Sequence, residues 1–133
     1  MATLHVEVVS ADRTVWSGEA TNIIAKTVEG DIGILPGHEP ILAVLVPSGV
    51  EVYTEEHNRE IIIAVGHGFI SVADGRVSIL AEYAQLAEEI TLDAAEKERQ
   101  QAWERLEEEP HDEDARRHYE HADAQVRAAR KAQ

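Results

Sequence analysis

With 133 residues and a formal net charge of −14, the chain has room for one domain plus an appendage, and its surface is acidic. The negative charge disfavours nucleic acid as a ligand, because phosphate backbones carry the same sign. The sequence contains no cysteine and no long apolar run. Disulfides, thiol catalysis and thiolate metal sites are therefore excluded, as is a helix of the roughly 20 apolar residues that span a bilayer.

The N-terminus lacks the basic start and the long apolar stretch of a signal peptide. We therefore expect a cytoplasmic chain that reaches a membrane only through a protein partner.

Glycine divides the chain into two parts. All eight glycines lie between Gly18 and Gly75, and the later sequence is rich in Ala, Glu, Gln and Arg. Glycine marks turns between short strands, whereas the later residues are good helix formers. We therefore predict a β domain over residues 1–86 and a helical region over residues 87–133.

The first part alternates apolar or β-branched runs with turn residues. Leu4, Val6 and Val8 alternate with polar residues, which is the period of a half-buried strand. Ile61–Val65 is apolar throughout, which predicts burial on both faces. Asp74–Gly75 predicts a two-residue type I′ hairpin turn. Further strands are predicted at 15–18, 21–28, 32–35, 41–46 and 50–54, with a hairpin loop at 55–58. About ten short strands predict an all-β sandwich or flattened barrel.

Two helices are predicted in the second part. Thr91 is the predicted N-cap of the first helix, and Pro110 ends it. Asp112 is the predicted cap of the second. Helical spacing places apolar residues on one face of each helix, interrupted in the first by Arg99: Leu92, Ala95, Ala102, Trp103 and Leu106, then Ala115, Tyr119, Ala122, Val126 and Ala129. So short a connection predicts an antiparallel hairpin.

The hairpin is expected to be weakly held, because five large apolar residues at about 1.5–3 kcal/mol each oppose about 1–2 kcal/mol of backbone entropy per ordered residue. We expect the end that carries Glu107–Glu109 and Asp112–Asp114 to fray. At the other end, acids are expected to face bases, namely Glu88, Glu89, Asp93 and Glu96 opposite Arg127, Arg130 and Lys131.

Catalytic motifs are weak. Gly30, Gly33 and Gly37 are spaced suggestively, but no Lys-Ser or Lys-Thr follows as in a P-loop. His111, His118 and His121 are metal-ligand types without the spacing of a zinc-peptidase helix. We expect neither a catalytic site nor a metal, and no cofactor.

One segment is more specific than a turn. The stretch from Glu29 to Pro40 reads EGDIGILPGHEP and closely resembles the G-(D/E)-x-G-I-x-P-G-H-x-P signature of the epsilon subunit of bacterial F-type ATP synthases. Residues 8–18 resemble the opening strands of that family, and residues 77–82 resemble its last strand. The resemblance covers essentially the whole chain.

The resemblance implies a ten-stranded β-sandwich followed by a two-helix hairpin, at the foot of the central stalk on the cytoplasmic face of the bacterial plasma membrane. Such a subunit binds the gamma subunit and the c-ring, couples proton flow to ATP synthesis without a catalytic site, and does not insert into the membrane. In many members the hairpin extends along gamma, reaches the alpha/beta catalytic hexamer transiently and blocks ATP hydrolysis. By the same resemblance, Glu29, Gly30 and Asp31 contact the c-ring, and His38 lies near gamma.

The chain departs from the family at the hairpin. Members that bind ATP there carry an Ile-Asp-x-x-Arg-Ala pattern, whereas Ile90 to Ala95 reads ITLDAA. Thr91 replaces the aspartate and Ala94 the arginine, which predicts severely weakened ATP binding. Arg99 and Arg127 remain the weak candidates for nucleotide contact. Three alternatives stay open: a non-motor β-sandwich adaptor, a stand-alone nucleotide sensor, and a metal hydrolase that uses the three histidines.

Overall fold

A computed structural model describes residues 2–55 and 60–133. Over these residues the chain forms ten strands, a short 3-10 turn at Ala87–Glu89 and two helices. The strands are β1 (Leu4–Val9), β2 (Thr14–Ala20), β3 (Asn22–Thr27), β4 (Gly30–Ile34), β5 (Ile41–Leu45), β6 (Ser48–Tyr53), β7 (Glu60–Val65), β8 (Gly68–Ala73), β9 (Arg76–Ala81) and β10 (Ala84–Leu86), and the helices are α1 (Leu92–Glu108) and α2 (Glu113–Lys131). The hairpin loop predicted at 55–58 lies, from residue 56 onward, outside the described residues.

The strands follow the order β10-β7-β6-β3-β5-β8-β9-β1-β2, and β4 is paired to β3. The neighbours are antiparallel except for β1 and β9, which run parallel. The path turns at the β3–β5 junction, where a single residue pair, Thr27 with Leu45, joins the two strands. The two halves therefore face each other across one aliphatic core. The predicted all-β sandwich followed by an antiparallel helical hairpin is confirmed.

Strand β7 explains how the hairpin is seated. Ile62, Ile63, Ala64 and Val65 are all buried. Ile63 and Val65 point into the sandwich core, whereas Ile62 and Ala64 form a second cluster with Ala128 of α2. The predicted burial on both faces is confirmed, and α2 is the element that covers the outer face.

The β8–β9 connection has the predicted type I′ geometry. Asp74 has φ 50° and Gly75 has φ 76°, so both central residues are left-handed, as this turn requires. The strands pair directly across it, from Ala73 with Arg76 to Gly68 with Ala81.

The helix ends largely follow the sequence. Asp112 caps α2, because its side chain accepts a hydrogen bond of 2.9 Å from the backbone N–H of Asp114. Thr91 occupies the N-cap position of α1, but its side chain makes no capping hydrogen bond. Trp103, predicted on the buried stripe, is 44% exposed. The buried positions of α1 are Ala95 and Ala102, and such small residues bring the helices close together. The indole therefore lies at the edge of the interface, 5.3 Å from the Tyr119 ring between centroids.

Candidate partner-binding surfaces

The turn between β3 and β4 presents two carboxylates on a firmly held backbone. The Thr27 hydroxyl donates to the Gly30 carbonyl at 2.8 Å and accepts from the Glu29 N–H at 3.1 Å. Gly30 has φ 118°, a conformation that favours glycine. Thr27 is buried, whereas Glu29, Gly30 and Asp31 are exposed. The turn is thus a fixed acidic projection, open to a partner.

His38 lies apart from that projection. The segment after β4 turns back through a hydrogen bond of 3.0 Å from the His38 N–H to the Leu35 carbonyl. The His38 ring is half-buried, and its Nδ1 lies 2.7 Å from the Glu39 carbonyl. The strand between the turn and this segment rises about 3.3 Å per residue. Glu29, Gly30 and Asp31 therefore form one cluster, and His38 follows the opposite end of β4.

The second surface is apolar and was not predicted. We define the apolar stripe as Val28, Val44, Phe69 and Leu80, whose exposed fractions lie between 41% and 63%. Val44 pairs with Phe69, and Phe69 pairs with Leu80, so all three point outward from neighbouring strands. Val28 adjoins them through a hydrogen bond of 3.0 Å to the Val44 carbonyl. Leu42, two residues along β5, is 73% exposed and extends this face.

A sequence signal for the stripe exists. Phe69 precedes the inward-facing Ile70, and Leu80 follows the inward-facing Ile79, so both occupy the strand phase where polar residues are expected. Large apolar side chains in the outward phase of antiparallel strands indicate a second buried face, which a partner must supply.

The hairpin docks through α2, whose contact with the sheet combines small residues such as Ala64 and Ala128 with the larger Ile62. Gly49 of β6 lies directly beneath Ala128, since a Cβ added at Gly49 would lie 3.1 Å from the Ala128 Cα. Lys131 fastens the end of the helix, as its Nζ donates to the Gly49 carbonyl at 3.1 Å and lies 3.3 Å from Glu51. The Gly49–Ala128 part of the contact buries little apolar area, because both residues are small.

The charges at the end of the hairpin pair partly as predicted. Of the expected pairs, the structure forms Glu96 with Arg130 at 3.1 Å. Glu89 instead lies 3.8 Å from Arg13 of the β domain. Lys131 pairs with Glu51, as described above. The acidic end at the helix connection is also bridged, by Arg105 and Asp112 at 3.9 Å.

Arg99 and Arg127, the two weak candidates for nucleotide contact, lie close together because both bind the carboxylate of Asp123. Arg99 Nη1 donates to Asp123 Oδ1 at 3.1 Å, and Arg127 Nε donates to Asp123 Oδ2 at 2.8 Å. The hydrogen bond to Asp123 raises the pKa of Arg127 further above its ordinary value. Both guanidinium groups are thus already satisfied by an internal anion.

The three histidines considered as metal ligands are separated by their contacts. His118 Nε2 pairs with Glu98 of α1, and the His121 ring lies on Tyr83 with centroids 3.8 Å apart. His111 is exposed in the helix connection. Within residues 2–55 and 60–133, no group of three or more potential ligands is arranged to hold a metal ion.

Taken together, a β-sandwich with an exposed apolar stripe, a rigid acidic turn and a docked helical arm defines a protein of the partner-binding class. The family model "ATP synthase, Delta/Epsilon chain, beta-sandwich domain" matches residues 3–87. The ATP synthase epsilon chain of Streptomyces griseus is 54% identical over 96 residues, which is 72% of this chain and 77% of that one. The epsilon chain of Cutibacterium acnes is 53% identical over 97 residues, which is 72% of this chain and 66% of that one. The chain therefore belongs to the ATP synthase epsilon-chain family, and an epsilon chain is one subunit of ATP synthase.

Two solved structures share the fold of this chain. A chain in the OSCP/F1/c-ring structure of the Euglena gracilis mitochondrial ATP synthase matches with a TM-score of 0.76 and 27% identity, covering 99% of this chain and 81% of that one. A chain in the central stalk/c-ring structure of the Tetrahymena thermophila mitochondrial enzyme shares the fold, with a TM-score of 0.54, 20% identity, and coverage of 65% of this chain and 68% of that one.

Neither helix in the described part of the chain has the length and apolar character needed to cross a membrane.

Proposed function

We propose that this chain is a non-catalytic rotor subunit that couples proton translocation through the c-ring to ATP synthesis. It binds the gamma subunit through the apolar stripe and the c-ring through Glu29, Gly30 and Asp31. It works at the cytoplasmic face of the bacterial plasma membrane, to which these partners attach it. The residues 1–86 couple the rotor, and residues 87–133 are a mobile regulatory arm.

The apolar stripe is the observation that carries this proposal. In a chain with 29% charged residues, large apolar side chains aligned across three paired strands are costly to leave in water. Phe69 and Leu80 are 51% and 58% exposed, so covering each of them stabilises a complex by about half of the roughly 1.5–3 kcal/mol that full burial of such a side chain gives. A permanent protein partner fits this surface, because apolar area of this kind is concentrated in the cores of stable interfaces. The stripe also adjoins the turn at Glu29, so gamma and the c-ring can be bound side by side.

The acidic turn suits the second partner. Glu29 and Asp31 are exposed and lie on a backbone that Thr27 holds in place. A turn of this kind can transmit torque to a basic or polar c-ring loop, since it moves with the sandwich rather than independently of it. His38, at the other end of β4, is assigned to the gamma side.

The docked arm suits a reversible switch. Its contact with β7 centres on Ala128, Ala64 and Ile62, and the ion pair of Lys131 with Glu51 that ties it to β6 is partly exposed. Exposed pairs contribute about 0–1 kcal/mol each, so the ion pairs add little to the cost of releasing α2 from the sandwich. The released arm extends along gamma, contacts the alpha/beta hexamer transiently and inhibits ATP hydrolysis without needing ATP as a ligand.

The test of the rotor assignment is co-purification of tagged chain with gamma and the c-ring. Phe69→Asp is expected to abolish recovery of gamma, because it places a charge at the centre of the stripe. Thr14→Asp is the matched control, as Thr14 is an exposed residue on β2, a strand that contributes nothing to the stripe. Equal recovery of gamma with both variants would contradict the assignment of the stripe.

The test of the arm is ATP hydrolysis by the assembled enzyme with and without residues 88–133. Hydrolysis is expected to rise on deletion while assembly is retained. An unchanged rate would show that the arm is structural rather than inhibitory.

A further inference from the structure

Asp123 is the point at which the two helices of the arm are joined electrostatically. Its side chain is 18% exposed, less than either of the arginines that it accepts from. Because Arg99 uses one carboxylate oxygen and Arg127 uses the other, both guanidinium groups point at the same position. That position would suit any anion with two oxygens, a carboxylate or a phosphate alike.

The carboxylate lies at the wall of a basic groove. A cavity of about 410 Å³ runs between α2 and strands β3 and β6, and its lining includes Asp123. Four cations also line it: Lys26, Arg127, Arg130 and Lys131. In a chain with a net charge of −14, a groove in which four cations outnumber the carboxylates of Asp31, Glu51 and Asp123 is the kind of surface that attracts polyphosphates.

The other cations at the end of the arm are also committed to carboxylates. Arg130 lies 3.1 Å from Glu96, and Lys131 lies 3.3 Å from Glu51. Asp31 lines the groove as well and adds repulsion toward anions. Whether a phosphate can be held therefore depends on the position between Arg99 and Arg127.

We infer that Asp123, at the wall of this groove, is a specificity-determining residue of the arm: its carboxylate is a built-in counter-ion that occupies the position of a phosphate between Arg127, which lines the groove, and Arg99 of α1, which does not, and so excludes di- and triphosphates. Being part of the folded helix, the carboxylate reaches the arginines without the loss of translational freedom that a free ligand incurs. The inference deepens the proposed function, since it gives the reason why the arm works without a nucleotide.

The test compares variants of the full-length chain by calorimetric titration with inorganic pyrophosphate at low ionic strength. Asp123→Ala removes the charge and vacates its space, and pyrophosphate is expected to bind at least ten-fold more tightly than to the wild type. Asp123→Asn removes the charge but fills the space, so an intermediate affinity is expected. Adding Arg127→Gln to Asp123→Ala is expected to abolish the gain.

Two results would overturn the inference. One is wild-type affinity for pyrophosphate equal to that of Asp123→Ala. The other is absence of binding by Asp123→Ala when its helical circular dichroism at 222 nm matches the wild type. If Asp123→Ala has instead lost helicity, pyrophosphate must restore the 222 nm signal, with sulfate at equal ionic strength restoring less. Failure to restore it likewise rejects the inference. All of these measurements use the isolated chain, so their failure leaves the assembly with gamma and the c-ring unaffected.

Discussion

Gly49 of β6 and Ala128 of α2 are in such close contact that a Cβ added at Gly49 would lie 3.1 Å from the Ala128 Cα and 3.3 Å from its Cβ. The contact fixes how closely α2 lies on the sheet. This short distance between helix and sheet also brings the Lys131 Nζ to 3.1 Å from the Gly49 carbonyl oxygen. The absence of a side chain on a strand thus positions the end of the helical arm.

Substitution of Gly49 should release the arm selectively. Gly49→Ala is expected to weaken docking by about 1 kcal/mol and Gly49→Val by more, because overpacking of a closed contact typically costs 1–3 kcal/mol. Hydrogen exchange of the α2 amides should accelerate while the amides of β8 and β9 stay protected. Gly33→Ala is the matched control, since nothing lies within 4 Å of a Cβ at that position. Equal acceleration in both variants would show that the close contact does not hold the arm.

Reversal of charge at the acidic turn should impair assembly rather than folding. Asp31→Arg is expected to reduce recovery of the c-ring in co-purification, because the exposed carboxylate becomes a cation. Asp31 pairs with Lys26 across β3 and β4, so the variant also places like charges opposite each other, at a cost of up to about 1 kcal/mol. The melting temperature should therefore fall only slightly.

The control for Asp31→Arg is Asp12→Arg, which makes the same change of charge at an exposed residue between β1 and β2. The c-ring should be recovered normally with this variant. Unchanged recovery with Asp31→Arg itself would remove the turn from the proposed interface.

The β8–β9 turn provides a test of the sandwich alone. Gly75 has φ 76°, and a residue with a Cβ loses roughly 1–2 kcal/mol in the left-handed region. Gly75→Ala is therefore expected to lower the free energy of unfolding by about this amount in urea denaturation. Asp74→Asn should leave it nearly unchanged, because Asn tolerates the φ of 50° observed there. Similar losses from both substitutions would argue against backbone strain as the cause.

Local features of the fold could be predicted because each rests on a few neighbouring residues. Asp74–Gly75 defines its own turn, Pro110 ends α1 and Asp112 caps α2. The four buried residues of β7 even indicated that a second layer would cover the strand. The predicted contact residues Glu29, Gly30 and Asp31 share one turn because they are consecutive in the sequence.

The surfaces that depend on register or helix rotation could not be predicted. Val44, Phe69 and Leu80 become neighbours through the pairing of β5, β8 and β9, which no local pattern specifies. The convergence of Arg99 and Arg127 on Asp123 depends on how each helix is rotated about its own axis where the two helices pack. Trp103 was expected to be buried because apolar spacing identifies a helix face, but alanines bring the helices too close for an indole to lie between them.

Acidification should loosen the arm through His121. Its ring lies on Tyr83, and burial, with a smaller contribution from the neighbouring His118, lowers its pKa below the ordinary 6.5, whereas Glu82 and Glu98 act in the opposite direction. Once α2 leaves the sheet, His121 regains its ordinary pKa. The neutral ring therefore stabilises docking fully above pH 6.5, and this contribution is lost as the pH falls through the lowered pKa.

Two other histidines lie beside carboxylates, His67 with Glu120 of α2 and His118 with Glu98 within the arm. The contribution of His121 is isolated by comparing the wild type with His121→Gln, in urea unfolding followed at 222 nm at several pH values between about 7.5 and 5.5. The wild-type arm should lose more stability over this range than the variant, because Gln keeps a polar side chain that does not titrate. Parallel pH profiles for the two proteins would show that the ring on Tyr83 is not the group that senses acid.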